Sequence, residues 1–235
     1  MKIEGSIALV TGANRGLGLA FARALRDAGA RKVYAGARDP ASVKEPGLEA
    51  IRLDVTDPRS IAEAAARCTD VNIVINNAGI LRPGALLGDG GLATIREQLE
   101  TNFYGAFAMS EAFAPVLAAN GGGALVNMLS ALSWLSLPNS GAYSISKAAA
   151  WALTNGLRQE LRAQHTLVIG VHAGYIDTDM VATVTAPKTK PEVIAQRTLE
   201  AIAAGREEVL ADDVSQQVKA GFAADPPAYV RAPAQ

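Results

Sequence analysis

Short, largely uninterrupted apolar runs alternate along the chain with longer alanine-rich segments of helical period. Unbroken apolar runs are typical of strands that are covered on both faces in a parallel sheet. Seven strands are predicted, at Ile7–Val10, Lys32–Gly36, Glu49–Leu53, Asn72–Ile75, Ala124–Met128, Leu167–His172 and Glu208–Leu210. Five helices are predicted between them, at Leu17–Ala28, Pro58–Cys68, Leu92–Ala119, Ala142–Gln164 and Pro191–Ala204. The pattern predicts an α/β fold with a doubly wound parallel sheet of about seven strands and helices on both faces.

No stretch rich in proline, glycine and serine divides the 235 residues, so we expect one domain over 1–235 with an irregular tail at 225–235. An apolar share of 49% excludes a disordered chain, and a net charge of −1 disfavours a nucleic-acid partner. The single cysteine, Cys68, excludes an intrachain disulfide. Because no apolar run is long enough to span a membrane and no cleavable leader is evident, we expect a cytoplasmic protein without a membrane partner.

A glycine-rich turn follows the first strand and precedes a helix, with the sequence Thr11-Gly12-Ala13-Asn14-Arg15-Gly16-Leu17-Gly18. Glycines allow a tight turn and let backbone amides approach a pyrophosphate, while the helix N-terminus adds partial positive charge. The spacing is GxxxGxG rather than GxGxxG, and a turn without a ligand is the alternative. The strand–turn–helix context favours a dinucleotide site formed by Gly12, Asn14, Arg15, Gly16, Leu17 and Gly18.

The end of the second strand indicates which dinucleotide is bound. About 20 residues beyond the glycines, an acidic residue would bind the ribose 2′-hydroxyl of NAD. Ala37 occupies that position and Arg38 follows it, so a guanidinium is available for the 2′-phosphate of NADP, and Arg15 could approach the same phosphate. The sequence therefore favours NADP(H). NAD(H) is the alternative if Arg38 is only a surface charge and Asp39 binds the ribose.

Tyr143 and Lys147 are spaced i and i+4 at the start of a predicted helix, so both lie on one face. A tyrosine can exchange protons at neutral pH if its pKa falls from about 10 to about 7, which requires about 4 kcal/mol. One cation about 4 Å away supplies about that much at an effective dielectric of about 20. Lys147 is therefore sufficient in principle to make Tyr143 a general acid or base.

Taken together, these residues resemble the classical short-chain dehydrogenase/reductase family. The resemblance covers about Ile7 to Thr178, and its motifs occur in the family's order and spacing: the glycine turn, Leu53-Asp54-Val55, Asn76-Asn77-Ala78-Gly79, Asn102, Ser130 and Tyr143-Ser144-Ile145-Ser146-Lys147. It implies a Rossmann-type three-layer sandwich. The cofactor half would span about 1–125, and the catalytic and substrate half about 126–224.

The resemblance also implies a role for each matching residue. Tyr143 would donate a proton to a carbonyl or accept one from an alcohol, and Ser130 would hydrogen-bond the substrate oxygen. Lys147 would bind the nicotinamide ribose and lower the Tyr143 pKa, and Asn102 would hold a water that links Lys147 to solvent. The remaining matches would contact the cofactor: the Asp54 side chain and Val55 backbone at the adenine, Asn77, Ala78 and Gly79 along the dinucleotide, and Gly174, the Ile176 backbone and Thr178 at the nicotinamide amide or the phosphates.

Some of these assignments have alternatives. Ser133 could replace Ser130, and Asp54 could simply begin a turn and cap the next helix. After the sixth strand the family usually has Pro-Gly, whereas this chain has Ala173-Gly174, which predicts a looser turn. The two histidines, at 165 and 172, are interpreted as structural, and no metal-ligand cluster is evident.

The predicted function is an NADP(H)-dependent oxidoreductase that transfers a hydride between nicotinamide and a small neutral ketone, aldehyde or secondary alcohol. The candidate pocket walls are apolar or aromatic, namely Leu81, Leu132, Trp134, Leu135, Tyr175 and Met180. The alternatives are an NAD-dependent alcohol dehydrogenase, a non-catalytic dinucleotide-sensing regulator and a lyase of the halohydrin-dehalogenase kind. The last two typically lose residues that are kept here. A homodimer is expected, because the helices containing Asn102 and Tyr143 commonly pair between subunits in this family.

Overall fold

The computed structural model describes residues 1–230. Its strands are β1 (Ile7–Thr11), β2 (Lys32–Ala37), β3 (Glu49–Arg52), β4 (Ile73–Asn76), β5 (Gly123–Met128), β6 (Thr166–His172) and β7 (Glu208–Leu210). Its α-helices are α1 (Gly16–Asp27), α2 (Pro58–Arg67), α3 (Gly91–Leu99), α4 (Gly105–Ala119), α5 (Gly141–Glu160), α6 (Pro191–Ala204) and α7 (Asp213–Ala220). None of these helices is long and apolar enough to cross a membrane. In the predicted tail, Ala228–Val230 form a short 3-10 turn, and 231–235 lie outside the described residues.

All seven strands lie parallel in one sheet of order β3-β2-β1-β4-β5-β6-β7. The chain builds one half outward from β1 to β3 and then returns to place β4 beside β1. Ligands of such sheets bind beyond the carboxyl ends of the strands at this reversal of strand order. The doubly wound sheet predicted from the sequence is confirmed, and the glycine turn after β1 lies at the reversal.

Alternate strand residues enter two separate cores. Ala8 and Val10 of β1 pack on one face with Phe21 of α1, whereas Leu9 packs on the other face with Phe113 of α4. Both phenylalanines are fully buried, and burial of such a side chain contributes about 1.5–3 kcal/mol. The two cores give the predicted three layers, with α1 and α6 on one side of the sheet and α2, α4 and α5 on the other.

The prediction of one continuous helix over Leu92–Ala119 is wrong in detail. The structure divides it into α3, a π-helical turn at Glu100–Tyr104, and α4. The Asn102 side chain within the turn bonds to the backbone of Ile80, and the first residue of α4 packs tightly on Val55. Because π-helical turns frequently occur at functional sites, this irregularity draws attention to Asn102.

Two further differences lie in the second half of the chain. The helix predicted to end at Gln164 ends at Glu160, and a 3-10 turn leads to His165, whose φ is 61°. The helix α7 was not predicted, and Ser215 is its one buried residue. Asp212 caps α7 by accepting from the Ser215 backbone N–H at 2.8 Å, a signal that the sequence contains in its Asp-x-x-Ser spacing.

Candidate active site

The glycine turn lies at the carboxyl end of β1, between the ends of β2 and β4. The Ala13 N–H donates to the Gly36 carbonyl at 3.0 Å, which fixes the turn against β2. Gly12 and Gly16 have φ values of 66° and 54°, in the left-handed region that favours glycine. A Cβ on Gly18 would lie 2.1 Å from the Gly12 carbonyl oxygen, so α1 can begin this close to the turn only with glycine there.

Within residues 1–230, no side chain accepts a hydrogen bond from the amides in the first turn of α1. Its N-cap residue, Arg15, makes no side-chain capping bond, and no acidic residue lies in the first turn. By contrast, α2 is capped by Asp57, which accepts from the Arg59 N–H at 3.0 Å. The exposed amide donors and partial positive charge of α1 therefore fit an anionic group. Asn14 is half-buried beside them, whereas Leu17 is buried in the core and contributes only its backbone to this end of the helix.

Thr11 ties the glycine turn to the segment after β4. Its Oγ1 accepts from the N–H groups of Asn77 and Ala78 at 3.0 and 2.9 Å and donates to the Ile75 carbonyl at 3.4 Å. Asn77 Nδ2 in turn donates to the Thr11 carbonyl at 2.9 Å. Sequence reasoning assigned no separate role to Thr11, although its position between the strand and the first glycine was the available signal.

The two arginines that were expected to share one phosphate differ in their contacts. Arg38 follows the buried Ala37 and is exposed, with no hydrogen bond or ion pair within residues 1–230. Arg15 instead bonds Asp179, with 3.1 Å between Nη1 and Oδ2. Asp39 Oδ1 accepts from the Ala41 N–H at 3.0 Å and caps a 3-10 turn, so this oxygen is already engaged.

Asp54 lies at the end of β3 and is partly buried. Its Oδ1 accepts from the N–H and the hydroxyl of Thr56 at 3.0 and 2.8 Å. Burial alone would raise the Asp54 pKa, but the Thr56 bonds and the charges of Arg38 and Arg52 outweigh burial and lower it. The alternative that Asp54 caps α2 is wrong, because Asp57 does so.

Ser130, Tyr143 and Lys147 come together beyond the carboxyl end of β5. The Ser130 side chain lies near enough to the Tyr143 hydroxyl to act on its pKa, and Lys147 Nζ lies 5.6 Å from the centroid of the Tyr143 ring. Nζ also donates to the Met128 carbonyl at 2.7 Å. Ser133 is not an equivalent neighbour, because its Oγ accepts from the Ser130 N–H at 3.2 Å and so forms a capping box.

Burial controls the pKa values of the two titratable members of this group. It raises the pKa of Tyr143 to about 12, although the Ser130 hydrogen bond acts in the opposite direction. It lowers the pKa of Lys147 to about 8, because the buried ammonium loses hydration. The prediction that Lys147 would bring the Tyr143 pKa toward neutrality is therefore wrong for the protein alone. At pH 7 the tyrosine carries its proton and the lysine is mostly an ammonium.

Asn102 is buried, and its side chain spans two segments of the site. Oδ1 accepts from the Ile80 N–H at 2.8 Å, and Nδ2 donates to the Ile80 carbonyl and to Ser146 Oγ, each at 2.9 Å. Both amide hydrogens are thus engaged, and only Oδ1 keeps a lone pair for the predicted water. A Cβ on Gly79 would lie 3.1 Å from Oδ1 and 3.8 Å from Lys147 Nζ, so this glycine lies close to both polar groups.

The turn after β6 is held by the helix that the sequence analysis missed. The Gly174 N–H donates to Asp212 Oδ2 at 2.6 Å, while the other oxygen of the same carboxylate caps α7. The Ala173 carbonyl accepts from the Ala131 N–H at 2.9 Å. The loosening predicted from the missing proline is thus offset, because both residues of the turn are bonded to neighbouring elements.

The segment after this turn approaches the glycine turn. The Thr178 methyl group lies 3.3 Å from the place a Cβ would take on Gly16. Ile176 pairs with Thr189 in an isolated bridge, which closes the loop 177–188 at its base. The Ile176 N–H makes no hydrogen bond within the described part of the chain, so it is available to an acceptor at this edge.

One predicted wall residue, Trp134, belongs to a cluster of aromatic rings. Trp134 stacks on His172, with 3.8 Å between ring centroids, and meets Trp151 and Phe222 edge to face. Its assignment to the pocket wall stays a prediction. Leu86, which was not predicted as a wall, lies close to the start of α5: its Cγ is 2.4 Å from the place a Cβ would take on Gly141, two residues before Tyr143.

Comparisons with known proteins agree with this geometry. A family model described as short chain dehydrogenase matches residues 6–189. A crystal structure of a short chain dehydrogenase from Burkholderia cenocepacia in complex with NADP is 39% identical, with a TM-score of 0.92 and 96% of each chain covered. Cis-4-hydroxycyclohexanecarboxylate dehydrogenase from Sinomonas cyclohexanicum is 35% identical over 75% of each chain. Dehydrogenase/reductase SDR family member 7B from Bos taurus is 32% identical over 84% of this chain but only 66% of that protein's length.

Proposed function

Because the chain belongs to the short-chain dehydrogenase/reductase family, we propose that it is an NADP(H)-dependent oxidoreductase acting on a neutral ketone, aldehyde or secondary alcohol. The general class, an oxidoreductase that uses a nicotinamide dinucleotide on CH–OH or C=O groups, follows from the family. The observation that carries the proposal is the convergence of Ser130, Tyr143 and Lys147 beside an uncapped helix N-terminus. Hydroxyl, phenol and ammonium groups within reach of one another suit proton exchange with a carbonyl oxygen.

Each catalytic side chain has a task that its surroundings support. Tyr143, protonated at neutral pH, donates its proton to the carbonyl oxygen during reduction and recovers one in the reverse direction. Ser130 donates a hydrogen bond to the same oxygen and so stabilises the negative charge that develops there. The Lys147 ammonium keeps two hydrogens beyond its bond to Met128, and these suit ribose hydroxyls. NADP(H), when bound, supplies or accepts the hydride.

The cofactor residues proposed are those that surround the sheet reversal. The amides of residues 14–18 take the pyrophosphate, Asp54 and Val55 take the adenine, and Asn77, Ala78 and Gly79 lie along the dinucleotide. Thr178 and the unpaired Ile176 N–H suit the carboxamide or a phosphate, and Gly174 lets the chain turn between them. An available guanidinium at Arg38, a carboxylate already engaged at Asp39 and the NADP complex of a 39% identical structure all support NADP(H) over NAD(H).

The test follows NADPH absorbance with a panel of aldehydes and of cyclic and open-chain ketones, which should include the 4-oxo acid that corresponds to the substrate in the name of the Sinomonas relative. We expect turnover with at least one apolar carbonyl and a loss of about 10²-fold or more in Tyr143→Phe, the usual contribution of a positioned acid. Ser144→Ala is the matched control, because Ser144 is buried beside Tyr143 and its Oγ has no hydrogen-bond partner within residues 1–230. Full activity in Tyr143→Phe would contradict the mechanism. The absence of NADPH oxidation with every substrate would favour a dinucleotide-sensing regulator.

The assembly remains a proposal of a homodimer. On the stretch of helix that follows Asn102, Met109 is fully buried in the core, whereas Phe107 is 41% exposed and the neighbouring Tyr104 is 52% exposed. Two exposed aromatic side chains on one helical face are consistent with a contact between subunits. A monomeric mass in light scattering at micromolar concentration would refute the dimer.

A further inference from the structure

His172 occupies the last position of β6, directly behind the candidate catalytic serine. Its side chain is fully buried, and Nδ1 lies 3.1 Å from the Ser130 carbonyl oxygen. A carbonyl oxygen can only accept, so Nδ1 must carry the proton of the neutral ring. Nε2 is then a bare acceptor, and it has no partner within residues 1–230. The tautomer is thus fixed by the bond to Ser130.

The imidazole of His172 is also held in place by an aromatic ring that stacks on it. Trp134 stacks on it at an interplanar angle of 17°, and Phe222 and Trp151 pack on Trp134 edge to face. Lys219 Nζ lies 5.1 Å from the centroid of the Trp134 ring and also bonds Glu208. The C-terminal segment around α7 therefore holds the ring that bonds to the Ser130 backbone.

Histidine keeps this bond over the working range of pH. Burial lowers the pKa of His172 to about 4. The bond to Ser130 and the charge of Glu208 act against burial, whereas Lys219 and Arg158 reinforce it. The ring is consequently neutral at pH 6 and above, so the proton on Nδ1 does not depend on pH there.

Ser130 is held from several sides. Its N–H donates to Ser133 Oγ at 3.2 Å, and its carbonyl accepts from the Ser133 N–H at 3.0 Å. The backbone ladder to β6 also continues on both sides of Ser130, through the N–H groups of residues 129 and 131. Within residues 1–230, His172 supplies the one side-chain donor to the Ser130 carbonyl. We propose that His172 is a positioning residue, whose Nδ1–H bond sets the carbonyl, and with it the hydroxyl, of Ser130 for the proton transfer by Tyr143. This inference rests on the proposed function.

Two variants separate the hydrogen bond from the packing. His172→Phe keeps an aromatic ring against Trp134 but removes the donor, whereas His172→Asn restores a donor near the place of Nδ1 without the ring. We expect His172→Phe to lower kcat about tenfold, with KM for the carbonyl and for NADPH within twofold of wild type. The reason is that a misplaced serine reduces stabilisation of the transition state more than it reduces the affinity for the substrate. His172→Asn should recover kcat to within about threefold of wild type.

The outcomes are distinct. A wild-type kcat in His172→Phe would overturn the proposal. An equal fall of kcat in both variants, accompanied by a lower unfolding temperature and weaker NADPH binding, would also overturn it, because that pattern indicates a loss of packing. Nitrogen-15 NMR of the imidazole provides a readout without turnover, and a proton on Nε2 instead of Nδ1 would also overturn it. If the wild-type enzyme reduces no carbonyl, the proposed function fails, and with it the reaction that His172 would support.

Discussion

Replacing Arg38 by alanine is expected to lower the preference for NADPH over NADH without harming catalysis. The β1–β2 register pairs Thr11 with Gly36, so the end of β2 lies beside the glycine turn, and Arg38 follows only two residues later. Its guanidinium has no hydrogen bond or ion pair within residues 1–230, so binding a phosphate there breaks no existing bond of this kind. The readout is the ratio of kcat/KM for NADPH to kcat/KM for NADH.

The expected size of the change follows from the exposure of the Arg38 side chain. A hydrogen bond between a guanidinium and a phosphate is worth about 1.5–3 kcal/mol. Water and salt weaken it at an exposed position, so the lower part of that range, about 1.5–2 kcal/mol, applies. At about 1.4 kcal/mol per factor of ten, the ratio should fall roughly 10- to 30-fold. Because salt shortens the Debye length from about 10 Å at 0.1 M to about 3 Å at 1 M, the wild-type ratio should also fall at high salt.

Arg31→Ala is the matched control. Arg31 is also exposed, but it precedes β2 and therefore lies at the opposite edge of the sheet from the glycine turn. In Arg31→Ala, the ratio of kcat/KM for NADPH to kcat/KM for NADH should stay within twofold of wild type. An unchanged ratio in Arg38→Ala, or equal losses with both cofactors, would refute the assignment of Arg38 to the 2′-phosphate. A wild-type preference for NADH would instead favour Asp39 as the ribose ligand.

Three further predictions concern the turn and the titrating groups. Thr11→Val removes the acceptor of two backbone N–H groups, so we expect a loss of about 2–3 kcal/mol in chemical denaturation and weaker cofactor binding; unchanged stability would contradict the tie to β4. Gly18→Ala should abolish cofactor binding, because its Cβ would lie 2.1 Å from the Gly12 carbonyl oxygen. Gly156→Ala, in open space within α5, should be neutral or stabilise the fold by up to about 1 kcal/mol, and equal effects of the two variants on cofactor binding would contradict the close approach of α1 to the glycine turn. The kcat/KM for reduction should fall as the pH rises past about 8, where Lys147 loses its proton while Tyr143 keeps its own. If this fall in the pH profile does not move to higher pH in Lys147→Arg, another group causes it.

The sheet could be predicted because its central strands, β1, β4, β5 and β6, are almost wholly buried and therefore occur as nearly unbroken apolar runs. The π-helical turn could not be predicted in the same way. It depends on the bonds from Asn102 to the Ile80 backbone, 22 residues earlier, and on the close approach of Gly105 to Val55. Local periodicity contains no information about such distant contacts. The helix α7 was missed because it buries only one residue and so lacks an apolar stripe.

The positions of the site residues were easier to predict than their electrostatics. A spacing of four residues places Tyr143 and Lys147 on one helical face whatever surrounds them. Their surroundings decide the pKa values, because both shifts come chiefly from burial by segments that lie far away in the sequence. The same limit applies to Arg15, whose ion pair with Asp179 links positions 164 residues apart.

The direction of the Tyr143 pKa has a consequence for the chemistry. With 5.6 Å between Lys147 Nζ and the Tyr143 ring centroid, a unit charge at an effective dielectric of about 20 contributes about 3 kcal/mol, or roughly two pK units. Even if Lys147 kept its charge throughout, which its own pKa of about 8 does not allow, the Tyr143 pKa would fall only from about 12 to about 10. The phenol is therefore protonated at pH 7. A protonated phenol is the correct state for donating to a carbonyl, whereas alcohol oxidation needs the phenolate. If Tyr143 acts as proposed, we therefore expect carbonyl reduction at neutral pH and alcohol oxidation only in a more alkaline medium.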